Sequence, residues 1–519
     1  MVIVADFDAT AFSSPASDRR DSRATRLTVA VAAALALVCG LQAGDVKLLL
    51  AIGGVGGLLA VFYCLPYVMQ HRDWLVCPLI LIFLINGVSF FTPAARAGFH
   101  YGMLALFCLP VAASALRSDI FRSGGFRLYT IYFLWAAATI IYSLAPEYSL
   151  ARLGEGFLIL LALTAIALDV RDADDVMRLL AHFLVGGGVV LALVAASAVV
   201  LPHSLTWLSP LESFTLEEIR QAQKLGLTVY GVDRFRGLLG GPNDIGELML
   251  ILVGPAMVCW RTAARGRRAL LAALIIVAVS LAALADSRSP FVALAVGGML
   301  YSAWRWRARG IALLATAATA GVLIAYIHGG LGAYVARGNV STLTGRTEIW
   351  AFAVREIERR PILGYGYEVS GAIFESRYFP IWWGPWDLGP HSSLHDGYLD
   401  HAVGVGVPAT LLWLYIILRP WVFVLRQPDD PWNLKPIFLL IVIPILVNNL
   451  TEELLGDFIG SVGVLFGLTW VLAERYRLFV LQRAKAERAE ALAKLPGGRM
   501  ALAEVRGSLA IAAAVANRM

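Results

Sequence analysis

Charge is scarce in this chain. Of 519 residues only 15% are Asp, Glu, Lys or Arg while 59% are hydrophobic, which excludes an ordinary water-soluble domain. Cysteine is scarcer, with five in all, and Cys39, Cys64, Cys77, Cys108 and Cys259 each fall inside an apolar run with no CxxC spacing. That pattern excludes a disulfide framework and a cysteine-held zinc site. There is no Walker loop, GxSxG elbow, HExxH or Asp-x-Asp pair, so the residues call for no metal and no cofactor. The internal repeat that marks many transporters is missing too. A net charge of +6 does not point to nucleic acid, because the basic residues flank apolar runs and face anionic lipid.

What the chain has in abundance is apolar runs of spanning length, about 20 residues each. Fourteen are readable: 27–43, 47–69, 74–91, 98–116, 126–144, 153–168, 179–201, 244–260, 269–285, 290–304, 310–328, 399–418, 436–450 and 458–473. The fourth, tenth and thirteenth are short or interrupted, so twelve is the lower count. The runs are too long, and too evenly apolar, for the alternating strands of a barrel. The expected fold is all-α, a polytopic inner-membrane helical bundle of about 12–14 transmembrane helices.

Lys and Arg gather in cytoplasmic loops. With the N-terminus inside, the inner loops carry sixteen Lys and Arg against four in the short outer loops, so this orientation is the expected one. It gives a cytoplasmic N-tail over 1–26, in which Arg19, Arg20, Arg23 and Arg26 precede an uncleaved first anchor. N-terminal transmembrane helices follow over 27–201. A second membrane region, 202–473, has periplasmic loops at 202–243 and 329–398. The tail over 474–519 is read as amphipathic and cytoplasmic.

The 329–398 loop holds the residues best suited to chemistry. Ile349, Phe352, Ala353 and Ile357 recur at helical spacing, Pro361 and Gly364 end the helix, and Thr344 or Gly345 with Glu348 would cap it. Arg346 then lies in the first turn, where the helix dipole disfavours a cation unless an anion is held there with it. The simpler alternative is an arginine paired with a nearby glutamate. His395 precedes the spanning run 399–418 at its positive end, a setting that favours the neutral imidazole a general base requires. His391 lies further into the loop, and His401 falls inside the run as a structural residue. Arg288 opens the tenth run from a very short outer turn, Asp286-Ser-Arg-Ser-Pro290, while Arg234 and Arg236 precede Gly240-Gly-Pro-Asn-Asp-Ile-Gly246 at the start of the eighth. Interfacial anchoring is the alternative for Arg234. Trp350, Trp382, Trp383 and Trp386 offer flat faces for sugar rings or for the membrane interface. Glu452 and Glu453, in Asn448-Asn-Leu-Thr-Glu-Glu453, rank behind these as helpers at an outer helix end. Together the arginines describe a phosphate or pyrophosphate site at the outer membrane surface.

Four pieces resemble the O-antigen ligase and Wzy-type polysaccharide polymerase family of bacterial membrane glycosyltransferases. They are Arg236-Gly with Pro242-Asn243, Ser287-Arg288 opening a helix, Gly345-Arg346-x-x-x-Trp350, and His395-Asp-Gly-Tyr-Leu399. The resemblance covers roughly 230–460. It departs from the family in Asp396, where Asn is usual, and in a count of fourteen spans where about twelve are usual. It implies transfer of a glycan from an undecaprenyl-pyrophosphate carrier to an acceptor sugar on the periplasmic side, without metal. His395 would be the base, Arg346 and Arg288 would hold the leaving group, and Arg236, Arg234, Asp396, Trp350 and Trp386 would contact substrate. A chain-length regulator and a flippase are the implied partners, and nucleic acid is not. The His395-x-Gly-Tyr-Leu-Asp400 wording favours a polymerase of exopolysaccharide or O-antigen repeats. A ligase that moves finished chains to lipid A core is the alternative, and a transporter or flippase of lipid-linked sugars is the rival from another class.

Overall fold

The computed structural model describes residues 70–87, 93–121, 123–201, 203–208, 234–239, 241–307, 346–378, 394–455 and 460–494. The chain is all-helical over these residues apart from one two-residue antiparallel pair, β1 (Trp207–Leu208) with β2 (Arg234–Phe235). The helices are α1 (Val76–Gly87), α2 (Pro93–Leu116), α3 (Gly124–Thr139), α4 (Pro146–Leu168), α5 (Ala173–Val200), α6 (Pro242–Trp260), α7 (Arg265–Leu284) and α8 (Ser289–Trp306). Then come α9 (Arg346–Arg359), α10 (Ser370–Tyr378), α11 (Gly397–Val405), α12 (Val407–Arg426), α13 (Leu434–Asn448) and α14 (Gly460–Lys494). Among the described residues, six helices are long and apolar enough to cross a membrane (α3 with its following turn, α4, α5, α6, α7 and α12), and two shorter apolar helices lie at His100–Leu116 and Leu434–Asn448. Eleven of the fourteen apolar runs coincide with or overlap a helix, and the other three, 27–43, 47–69 and 310–328, lie outside the described residues.

Two boundaries differ from the sequence expectation. The run 399–418 is not one helix: α11 ends at Gly406, whose φ of 85° breaks the helix, and Pro408 restarts it as α12. Gly406 is required there, since an added Cβ would collide with the Ile362 carbonyl. At the other end of the chain α14 continues through 473 as one 35-residue helix to Lys494, so the start of the tail extends the last span as a rod.

Packing follows from small residues and from one irregular helix. In α13, residues Phe438–Val442 form a π segment. Gly254 of α6 and Gly297 of α8 lie against the carbonyls of Leu440 and Leu439, at positions where a Cβ would meet those oxygens at 2.5 and 2.6 Å. Close backbone approach through small residues is how helices associate without a hydrophobic driving force. The main core also gathers Trp413, Trp421 and Trp470, and Trp470 Nε1 donates to the Ile416 carbonyl at 3.0 Å. A separate small core, Phe352 and Ala353 of α9 with Val369, Ala372, Ile373, Leu394 and Val403, joins α9, α10 and α11. It fixes α9 over α11 and so sets the site beneath.

Candidate active site

Four segments distant in sequence meet at one carboxylate. Glu452 lies in the turn after α13, a turn shaped by Asn449, whose Oδ1 accepts the Leu454 and Leu455 N–H groups at 3.0 and 3.1 Å. The Glu452 side chain is only 9% exposed. Its Oε1 accepts from Arg346 Nη2 at 2.7 Å, and Arg346 Nη1 donates to the Thr451 carbonyl at 2.6 Å. Asn243, at the start of α6, donates from Nδ2 to Oε1 and Oε2 at 3.2 and 3.3 Å. His395 Nδ1 lies 3.2 Å from Oε2. Burial alone would raise the Glu452 pKa, but the His395 hydrogen bond and the Arg346 charge outweigh it and hold the carboxyl below its ordinary value.

This arrangement assigns roles to both histidine nitrogens. A carboxylate only accepts, so Nδ1 is the donor and Nε2 becomes the acceptor nitrogen of the neutral ring. His395 itself has φ 50°, a left-handed conformation that costs an L-residue about 1–2 kcal/mol. It is held there by its neighbours: Asp396 caps α11, accepting from the Tyr398 and Leu399 N–H groups at 2.9 and 3.0 Å, and Gly397 N–H donates to the Asn449 carbonyl at 2.9 Å. Asp396 is therefore occupied as a helix cap. Asn is an equally good cap, so the departure at this position is a conservative one. Burial raises the Asp396 pKa in spite of those two bonds.

Three arginines line the same region. Arg346 stands at the first position of α9, as its sequence position predicts. It is paired with a glutamate, which was its simpler reading, but that glutamate also holds His395. Arg234 Nη2 donates to Asn243 Oδ1 at 3.0 Å and its Nε to the Ala285 carbonyl at 2.9 Å, which ties β2 to the Asp286–Arg288 turn. Burial pulls the Arg234 pKa down, as do the like charges of Arg288 and Arg346, against the carboxylates of Asp286 and Glu452. Arg288 sits at the cap of α8, braced by Asp286 at 3.2 and 3.3 Å and about one-third exposed (36%). Arg236 adjoins the same hairpin, and its backbone N–H donates to the Thr206 carbonyl at 2.9 Å. The hydrogen-bond chain from the hairpin to Glu452 runs through Arg234, for which anchoring was the simpler expectation. Trp350 is half-buried on α9, and its Nε1 has no hydrogen-bond partner among the described residues. Trp382, Trp383, Trp386 and His391 lie outside the described residues, as does the predicted cap at Thr344 and Gly345. His401 is structural: it is buried, it bonds the Tyr132 hydroxyl at 2.8 Å, and its ring lies 4.7 Å from that of Trp413.

Beside this hub stands a second group of acids. Glu368, Asp400 and Glu453 bring carboxylate oxygens within 4.8 Å of one another, the grouping among the described residues that could hold a cation. Ser370 Oγ hydrogen-bonds Asp400. Burial, reinforced by the Glu453 charge, raises the Glu368 pKa to about 8. Further along, a buried chain joins α2 to α4: His100 Nε2 to Glu155 at 2.6 Å, Glu155 to Arg152 at 2.9 Å, and Arg152 to the Tyr148 hydroxyl at 2.9 Å. Sequence reasoning put Glu452 last and missed both acid groupings. No short motif shows the hub or the acid trio, because His395 and Glu452 are 57 residues apart and Glu368 and Asp400 are 32; in the third grouping only Tyr148, Arg152 and Glu155 are neighbours in sequence. The signal available was topological, helix ends on one side of the bundle.

A helical membrane protein with an arginine-rich cluster around a carboxylate–imidazole pair at its helix ends is the class that fold and site define. A family model described as O-antigen ligase matches residues 270–414, so the chain is a multi-pass membrane protein carrying an O-antigen ligase family domain. That family groups ligase- and polymerase-type membrane enzymes that act on lipid-linked glycans. The matched segment contains Arg288, Arg346, Trp350, His395 and Asp396, whereas Arg234, Asn243 and Glu452 lie outside it. None of the curated proteins compared with the chain matches it.

Proposed function

We propose that the protein polymerises polysaccharide repeat units at the periplasmic face of the inner membrane, with both termini cytoplasmic, taking the growing glycan from undecaprenyl pyrophosphate. The observation that carries this is the Glu452 hub, which holds a candidate base and a candidate anion-binding arginine on one carboxylate. His395 Nε2 accepts the proton of the attacking sugar hydroxyl. The oxygen attacks the anomeric carbon, the bond to the carrier breaks, and its electron pair leaves with the pyrophosphate. Arg346, Arg288 and Arg234 stabilise the charge that develops there, and Arg236 approaches from the same hairpin. Glu452 touches no reacting atom and acts as a positioning residue for His395 and Arg346. The leaving-group charge falls to arginines, so no metal is assigned a step.

The test is reconstitution with lipid-linked repeat units alone. A ladder of products supports polymerase. Activity only when a different acceptor, such as lipid A core, is added supports ligase. Unchanged product from His395→Ala or Arg346→Ala removes the role given to that residue. The buried His100–Glu155–Arg152 chain favours a second reading, because ionisable groups within spanning helices are typical of transporters. Transbilayer movement of labelled lipid-linked sugar without new glycosidic bonds would establish it.

A further inference from the structure

A cavity at the far end of the bundle stands apart from the cluster around Glu452. One end of α4 lies at the loop side, where Ser149 Oγ donates to the Tyr367 carbonyl at 2.7 Å. Its other end lies about 34 Å away along a 23-residue helix at 1.5 Å per residue. There a pocket of about 480 Å³ opens between the α2–α3 connection, the α4–α5 connection, the α12–α13 connection and α14. All four segments fall on the side that charge asymmetry assigns to the cytoplasm.

The lining has two kinds of surface. Arg117, Arg171 and Arg475 bring three guanidinium groups to a lining whose carboxylate is that of Asp119, with Asp169 and Asp175 near enough to act on Arg475. Arg475 is partly committed: its Nε donates to the Val170 carbonyl at 2.8 Å and its Nη2 to that of Leu168, which closes the C-terminal end of α4. Arg117 and Arg171 are exposed. The remainder is apolar. Trp432 is 2% exposed and its ring lies 5.7 Å from that of Phe479, while Leu478 and Phe479 share a face of α14 with Arg475 and Gln482 at helical spacing. Leu116, next to Arg117, is 50% exposed.

We propose that this pocket binds the phosphodiester headgroup of an anionic phospholipid of the cytoplasmic leaflet. Arg117 and Arg171 hold the phosphate, and the glycerol and upper acyl region lie against Leu116, Leu478 and Phe479. A free phosphate or sugar phosphate would satisfy the arginines and leave the apolar wall uncovered. A zwitterionic headgroup would place its ammonium among three guanidinium groups. Basic pockets between spanning helices on the cytoplasmic side suit anionic headgroups for these reasons.

The test is native mass spectrometry of the full-length protein in detergent, titrated with phosphatidylglycerol or phosphatidylcholine, without glycan substrate. The site predicts retention of phosphatidylglycerol over phosphatidylcholine and about a tenfold or greater loss of that retention in Arg117→Gln/Arg171→Gln. Inorganic phosphate and glycerol phosphate at matched concentration should not displace the lipid. Equal binding of the two lipids, undiminished phosphatidylglycerol binding by the double variant, or full displacement by inorganic phosphate would each overturn the assignment. Both substituted side chains are exposed, and the unfolding temperature of the variant, expected to equal that of the wild type, separates lost binding from lost fold. A negative result here leaves the glycan-transfer reading untouched, because no substrate is present.

Discussion

Glu452→Gln is the substitution that probes the hub most sharply. The change is isosteric and removes one charge from a side chain only 9% exposed, so solvent screens little of the effect. Arg346 Nη2, 2.7 Å from Oε1, requires an acceptor, so the amide oxygen of Gln settles there. The amide nitrogen then faces His395 Nδ1, where the wild type has an acceptor at 3.2 Å. Two donors cannot share that contact. The ring therefore presents the Nδ1 lone pair and carries its proton on Nε2, which leaves no base for the acceptor hydroxyl. General-base catalysis contributes roughly 10²–10⁴-fold, and the loss should be of that order in kcat with KM changing less. The bond to Arg346 is kept but loses the carboxylate's charge, so the local destabilisation stays below the roughly 1.5–3 kcal/mol that a hydrogen bond to a charged group contributes. The assay is the initial rate of sugar transfer from a defined lipid-linked donor, with kcat and KM separated. A rate within threefold of wild type would refute the tautomer assignment. Glu452→Asp keeps an acceptor for Nδ1 and should lie between the two.

Four further outcomes are expected. Glu452 has a lowered native pKa, so the stability it contributes is complete above its ordinary value of 4.5 and is lost as pH falls through the native value; Glu452→Gln should flatten the acid limb of thermal stability. Glu368 behaves oppositely: its native pKa is raised from 4.5 to about 8, so its contribution is present below pH 4.5 and declines as pH rises to about 8, and Glu368→Gln should remove that slope in unfolding scans in detergent. Gly397→Ala would drive a Cβ into Asn449 Oδ1, where the turn bearing Glu452 meets α11; overpacking of this kind costs about 1–3 kcal/mol, and melting temperature and transfer activity should fall together. Chelation by EDTA should leave transfer intact, and its loss with recovery on adding a divalent cation would move attention to Glu368, Asp400 and Glu453.

Much of the fold was legible in the sequence because apolar length and loop charge are local properties. The helix with Phe352 and Ala353 inward and Arg346 at its start could be read from spacing alone. The break at Gly406 was less visible, since an apolar run continues across it and only the approach of Ile362 requires the glycine. Arg346, Arg288 and His395 stood out in the sequence because each lies at the start of a helix. Glu452 was not, because its importance lies in three partners contributed by α6, α9 and the residue before Asp396. The pocket at the far end of the bundle was equally hidden, being assembled from three connections and α14, whose basic residues look individually like orientation signals.

The central claim is that His395, oriented by Glu452, drives glycosidic bond formation at an arginine-lined leaving-group site. The most direct measurement is release of undecaprenyl pyrophosphate per glycosidic bond formed in a single-turnover reaction of the reconstituted protein. One carrier released per bond is expected in wild type, with both products reduced together by roughly 10²-fold or more in His395→Ala. Wild-type bond formation by His395→Ala, or transbilayer movement of the donor with no carrier released, would contradict it.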